Sequence, residues 1–360
     1  MQPRIIVVGA GIVGAAIAHH LAQRGASVTI IDAGGSSAGA TARSFAWINA
    51  WSGASQPYAH LRHHSLQEYR RLHDEFGDRI PINWSGTLVW KQHAADTQKR
   101  AREQAAAGYD VRLVGPDEFV QLEPNYKKPP QCAAYAAGEG SVEPVETARL
   151  LLRSAQDNGA RLLKPAKVES LLLADDRVTG VRMDGTNMES DVVVLAAGAA
   201  TNALAAQAGV SVPLEPSPAL LARFRTSGPL LRTVVISPEL EIRQISDGTV
   251  LAATDYIDDS EENGPEAVAR RILSKIRTGF EGGETVQADS VQTGWRPMPA
   301  DGLPIVGFAP GVSGLYLSVM HSGITLAPAV GRFAAVEILD EIEVRLLDIC
   351  RPERFGASQV

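Results

Sequence analysis

Cysteine is nearly missing: Cys132 and Cys350 are the only two in 360 residues. Two thiols can form neither a disulfide framework nor a four-thiolate metal site, and so few of them fit a reducing cytoplasm. Positive charge is also short. Lys and Arg number 34 against 41 Asp and Glu, a net −7 with a pI near 5.7, which disfavours a chain that must neutralise nucleic-acid phosphates. Repeats and low-complexity tracts are absent, and 45% hydrophobic with 21% charged residues excludes wholesale disorder. No uncharged run reads as a membrane span. Ile5–Ala18 is short and broken by glycine, residues 192–214 carry Thr201, Asn202, Gln207 and Pro213, and residues 302–331 are strewn with Gly and Pro. The length suggests two domains, at roughly 150 residues each.

The first thirty residues are the most informative. Ile5-Ile6-Val7-Val8 is a β-branched run suited to a strand buried on both faces. It enters Gly9-Ala10-Gly11-Ile12-Val13-Gly14, then a helical stretch from Ala15 to Arg24 ended by Gly25, then an apolar strand Ser27–Ile31 closed by Asp32. This is a βαβ unit with the dinucleotide fingerprint in its proper context. Gly9 permits the tight turn, Gly11 a close approach to pyrophosphate, and Gly14 close helix–strand packing. The helix start offers N–H groups to phosphate, and Asp32 sits where a carboxylate meets ribose hydroxyls. A purely structural Gly-rich turn is the minor alternative.

Further along, the spacing of Tyr58, Leu61, Tyr69, Leu72 and Phe76 predicts a helix over 57–76, and a polar helix is expected near 96–107. After Ser141-Val142-Glu143-Pro144 comes an amphipathic helix ending near Asn158-Gly159. Strands are expected at 161–163, 167–174, 178–183 and 192–196, with Asp184-Gly185 as a turn. A charged helix is expected over 265–278. The last long helix should open at Ser322-Gly323-Ile324-Thr325, with Pro328 in or near its first turn.

Five stretches in order carry a resemblance: VVGAGIVGAAIAHHLAQRG with Asp32; GATARSFAW; SVEP; VVVLAAGA; and GWRPMPADGLPIVG followed by HSGITLAPAVG. Together they resemble the FAD-dependent D-amino-acid oxidase superfamily, nearest its glycine oxidase and D-amino-acid dehydrogenase branches. The resemblance implies an α/β fold, α+β overall: a Rossmann-like FAD-binding domain and a second, mainly antiparallel β-sheet substrate domain. The first would take residues 1–80, 141–212 and 296–360, the second 81–140 and 213–295. It implies non-covalent FAD, since Trp47-Ile48-Asn49 replaces the tethering His of some relatives and neither cysteine lies in a matching motif. It places Gly9, Gly11, Ile12, Val13, Gly14, Asp32, Ala33, Thr41, Ser44, Ala46, Trp47, Val168, Gly198, Ser322, Gly323, Ile324 and Thr325 around FAD.

The resemblance also assigns Arg296 to a substrate carboxylate. Independently, a guanidinium in an otherwise uncharged Pro- and Gly-rich tract offers a planar two-point grip. His321 falls where the family places a basic residue near substrate; a structural histidine is its plainer reading. Glu241 stands where amino-acid oxidases place a tyrosine, aligned by the downstream Asp247-Gly248 turn, and an inward Glu241 would suit a substrate with a second, cationic group. A surface glutamate is the plainer reading there. The expected reaction is oxidation of the C–N bond of an amino acid or an N-substituted or cyclic one, with no metal and no certain catalytic residue. Partners would be that small molecule and either a second copy of the chain or an electron-accepting protein. Two alternatives stay open on sequence: an NAD-dependent dehydrogenase, because the βαβ unit serves both nucleotides, and a non-catalytic FAD-binding subunit of a larger dehydrogenase.

Overall fold

The computed structural model describes residues 2–34, 39–51, 56–246 and 248–356. Its first sheet has six strands, in spatial order Ile305–Phe308, Leu315–Val319, Val192–Leu195, Arg4–Val8, Ser27–Ile31 and Arg161–Leu163. All neighbours are parallel except the pair at 305–319. Because the central strand is covered on both faces, Ile5, Ile6, Val7 and Val8 are all buried. The helix Ile12–Gln23 packs against the helices Pro144–Asp157 and Gly323–Asp340. Its alanine-rich face permits close approach: a Cβ on Gly331 would lie 2.7 Å from the Ala16 backbone.

The second large sheet has eight strands, ordered Gln287–Pro299, Leu214–Arg225, Thr249–Asp255, Glu241–Ser246, Val234–Ile236, Thr87–Val89, Ala133–Ala136 and Arg112–Val114. It is antiparallel throughout except where 234–236 meets 87–89. The helix Pro265–Gly279 covers one face, burying Leu220, Ala222, Phe224, Ile242, Val250 and Ala252 with Ile272 and Ile276. The side-chain period of two then sends Ala219, Leu221, Arg243, Asp255, Gly294 and Arg296 to the other face, which looks toward the first sheet. The strand 287–299 runs across the expected domain boundary at 295/296, so Arg296 belongs to this second sheet. A small three-stranded sheet, Trp47–Ile48, Gly140–Val142 and Ile82–Asn83, joins the two large ones.

Several boundaries shift from expectation. The first helix begins at Ile12 rather than Ala15, because Ile12, Val13 and Gly14 of the fingerprint already adopt helical geometry beyond the extended Gly11. Beyond the Asp184-Gly185 turn lies an unexpected strand, Thr186–Glu189, paired back on Arg177–Met183. Its polar residues give no apolar alternation to read. Pro328 lies past the first turn of its helix. It removes the N–H that would meet the Ile324 carbonyl, and the Tyr69 hydroxyl supplies the missing donor at 2.6 Å. Among the described residues no helix is long and apolar enough to cross a membrane.

Candidate active site

The strands Arg4–Val8, Ser27–Ile31 and Val192–Leu195 end side by side, and the fingerprint residues gather at those carboxyl ends. Gly9 has φ +107°, and a Cβ there would sit 2.4 Å from the Ala196 carbonyl oxygen, so only glycine fits between the two strand ends. The helix then starts at Ile12 with no acidic residue in its first turn, leaving the positive end of its dipole uncancelled. A Cβ on Gly323 would touch the Val13 side chain at 3.3 Å, so the start of the helix 323–340 abuts the start of the helix 12–23. Two helix N-termini therefore converge on one place. That donor set suits an anionic, pyrophosphate-bearing cofactor.

The side chains around this cradle are arranged by hydrogen bonds the sequence does not announce. Asp32 accepts from the Ala10 N–H at 2.9 Å and the Gly34 N–H at 3.2 Å, with Lys164 Nζ at 3.8 Å. Ala33 follows it, exposed. Val168 is buried with Ile31 and Ala166, and the Ala166 N–H donates to the Asp32 carbonyl, which brings that segment beside Asp32. Gly198 turns away from the strand end with φ +58°. Thr41 Oγ1 accepts from the Ile12 N–H, and Ser44 Oγ accepts from the Ala46 N–H. Both hydroxyls thus shape the protein itself. Ala46 is left-handed at φ 59°, an uncommon geometry for a residue with a Cβ, held on its other side by the Val142 N–H.

The segment 47–51 lies between the cradle and the second sheet. Thr325 Oγ1 donates to the Trp47 carbonyl and accepts from the Asn49 N–H. Arg62, only 7% exposed, donates to the Asn49 carbonyl, to Asn49 Oδ1 and to Ser322 Oγ. Phe45, Trp47 and Trp51 pack on Val89, Val234 and Ile236 of the second sheet. The fully buried Arg243 fastens that sheet down, donating to the Phe45 carbonyl at 2.5 Å and to Glu143 Oε1 at 2.9 Å. Glu143 of the SVEP motif is thus an ion-pair partner. None of Arg62, Asn49, Arg243 or Glu143 could be singled out by spacing, since the pairs join separate elements, from 13 residues apart for Arg62 and Asn49 to 260 for Arg62 and Ser322.

Across the gap, the strand register sets Arg296 beside Ser217. Its Nε donates to Ser217 Oγ at 3.0 Å and to the Ser217 carbonyl at 3.2 Å. Its Nη2 donates to Asp255 Oδ1 at 2.9 Å and to the Pro218 carbonyl at 3.4 Å. Among the described residues Nη1 has no hydrogen-bond partner. Two of the three guanidinium nitrogens are therefore engaged within the protein, Nη2 by the Asp255 carboxylate. His321 is exposed to the gap, yet surrounding protein lowers its pKa to about 4, helped by the nearby Arg296 and Arg62 charges. Glu241 pairs in register with Ala253 and shares the face of Asp255. Its pKa is raised by desolvation first and by Asp255, against Arg296 and Lys91. Arg296, His321, Asp255 and Glu241 thus share one electrostatic neighbourhood. Of the Asp247-Gly248 turn, Asp247 lies outside the described residues. Among the described residues no group of three His, Cys, Asp or Glu is placed to hold a metal.

The chain matches the family described as FAD dependent oxidoreductase over residues 4–336, and it belongs to that family. FAD is accordingly the cofactor, and the cradle of converging helix starts with Asp32 fits it. More particularly, the chain is similar to a glycine oxidase of Bacillus licheniformis, 26% identical over 98% of this chain and 97% of that one. Among solved structures it resembles an L-proline dehydrogenase from P. horikoshii, with TM-score 0.87 and 22% identity over 98% of each chain. It also resembles a glycine oxidase from Geobacillus kaustophilus, with TM-score 0.86 and 24% identity over 98% of this chain and 99% of that one. These two structural likenesses bear on the fold alone.

Proposed function

We propose that this FAD-dependent oxidoreductase oxidises the C–N bond of an amino acid, or of an N-substituted or cyclic amino acid. One observation carries the reading: Arg296 stands on the sheet face opposite the cofactor cradle, beside His321, in a tract with no other Lys or Arg from Pro297 to Gly331. The names borne by its sequence relatives, glycine oxidase and D-amino acid dehydrogenase, support the substrate class. Bound FAD supplies a two-electron acceptor. The chain's own residues bind and orient the substrate.

The Arg296–Asp255 pair is solvent-exposed on its carboxylate side, the Asp255 side chain being 78% exposed. Such pairs are worth about 0–1 kcal/mol, so a substrate carboxylate exchanges with Asp255 at little cost. Arg296 then fixes the α-carbon, from which hydrogen leaves with its electron pair as the nitrogen loses a proton to water. The C=N bond that forms takes up water and releases ammonia or amine, or in a cyclic substrate opens the ring with the nitrogen still attached, leaving an oxo acid. A neutral His321 neither repels a bound ammonium nor competes for the carboxylate. Orientation thus supplies most of the rate, and no strong base is required. Glu241, on the same sheet face as Asp255, offers a carboxylate to a second, cationic group on the substrate. The reading is tested by anaerobic bleaching of the flavin bands with paired acids and their decarboxylated amines. Equal bleaching by acid and amine would return Arg296 to a structural role.

A further inference from the structure

We propose that Glu139 is a positioning residue that locks the segment 47–51 between cofactor cradle and substrate sheet. This rests on the FAD-binding fold and not on which substrate is oxidised. Glu139 is 4% exposed and stands just before the strand 140–142, whose pairing with Trp47–Ile48 brings it opposite Asn49. Its Oε1 accepts the Ala50 N–H at 2.8 Å and the Trp51 N–H at 3.1 Å. Its Oε2 accepts the Trp47 indole N–H at 3.2 Å, and the Thr87 hydroxyl is bonded to the same carboxyl. The indole N–H is shared with Thr87 Oγ1 at 2.9 Å. Four donors around one carboxyl leave a proton no site except at the expense of one of them, so the bonding pattern asks for the charged form.

Burial works against that charge, lifting the Glu139 pKa to about 7, while the Ala50, Thr87 and Trp51 donors pull it back. Arg62 helps from the far side of the segment, where it grips the Asn49 carbonyl. The segment is therefore held by a buried cation through its carbonyl side and a buried anion through its N–H side. A carboxylate here is expensive to desolvate, and a purely structural turn needs no charge to close it. What it secures is the Trp47 indole, wedged against Val89, Val234 and Ile236 of the substrate sheet while the Trp47 carbonyl is bonded to Thr325 at the second helix start. One side chain thereby sets the spacing of the two walls.

The test is a double-mutant cycle on the FAD-loaded protein with Glu139→Gln, Trp47→Phe and both together. The readouts are the visible circular dichroism of the flavin and the dissociation constant for FAD. Gln keeps an acceptor for the backbone N–H groups but turns an NH2 toward the indole N–H. Glu139→Gln alone should change the flavin dichroism and weaken FAD about tenfold. In the Trp47→Phe background, where no indole N–H remains to clash, the same replacement should change FAD affinity less than about twofold. Unchanged dichroism and affinity in Glu139→Gln, or equal changes in both backgrounds, would overturn the proposal. If Glu139→Gln does not fold, the cycle is run with Glu139→Asp, which keeps the charge but draws the carboxyl back from the indole; coupling to Trp47 in FAD affinity supports the proposal and additivity overturns it.

Discussion

Arg296 and His321 show how much a single side chain depends on neighbours from other strands. If Arg296 reads a carboxylate, Arg296→Ala should lower kcat/KM for acids by roughly thirty- to several-thousand-fold, the range that about 2–5 kcal/mol of lost charge pairing implies. Arg296→Lys should recover only part, since an ammonium cannot bond Ser217 and a carboxylate in one plane. Steady-state kinetics on acid and amine pairs measure both. His321 carries a pH prediction with a definite sign. With its pKa lowered to about 4 in the folded chain against 6.5 ordinarily, the unfolded chain takes up the proton first. Its share of stability is therefore whole above pH 6.5 and is lost as pH falls from 6.5 through 4. His321→Asn should flatten that stretch of the stability curve, read by denaturant unfolding at several pH values. An NMR titration of the ring should give a midpoint below 5, and a midpoint near 6.5 would contradict it.

Among the helices, 323–340 is the one whose sequence conflicts with its own geometry. Pro328 leaves the Ile324 carbonyl without an intrahelical donor, and Tyr69 from the helix Gln56–Phe76 answers it. Tyr69→Phe should cost about 1–3 kcal/mol, the desolvation of an unsatisfied buried acceptor. In a Pro328→Ala background the helix regains its own N–H, so the same change should cost distinctly less. Urea midpoints of the four proteins decide it, and equal losses in both backgrounds would show that Tyr69 acts through packing alone. Ser65 reinforces the same joint, its hydroxyl donating to the Thr325 carbonyl at 2.6 Å. These bonds fix the rotation of the second helix start, on which Ser322 and Thr325 are carried.

For the whole molecule, FAD binding and folding are linked. A ligand that binds only the folded chain adds about 2.7 kcal/mol at a hundred times its dissociation constant, so the melting temperature should climb with added FAD. Asp32→Ala should weaken FAD by roughly ten- to a hundredfold, from about 1.5–3 kcal/mol per hydrogen bond to a charged group, and shrink that climb. The same change orphans the Ala10 and Gly34 N–H groups, so the cofactor-free protein should melt lower as well. Calorimetry with and without FAD separates the two losses. A melting curve indifferent to FAD would contradict the linkage.

The sequence by itself determined the nucleotide half of the protein. A strand buried on both faces, a glycine turn and a helix start are local features, written in consecutive residues because their geometry is local, and Gly9 to Asp32 could be read almost in place. Of the second sheet little was legible beyond the helix 265–279 that covers it, and the polar strand 186–189, which lies outside that sheet, left no pattern to find. Only the tertiary structure decided which charges meet. Arg296 finds Asp255, Arg243 finds Glu143, and Glu139 finds Trp47 across separations of 41, 100 and 92 residues. Such pairings are set by strand register and helix crossing, where a shift of one residue turns every side chain to the opposite face. Chain-local periodicity holds no record of them.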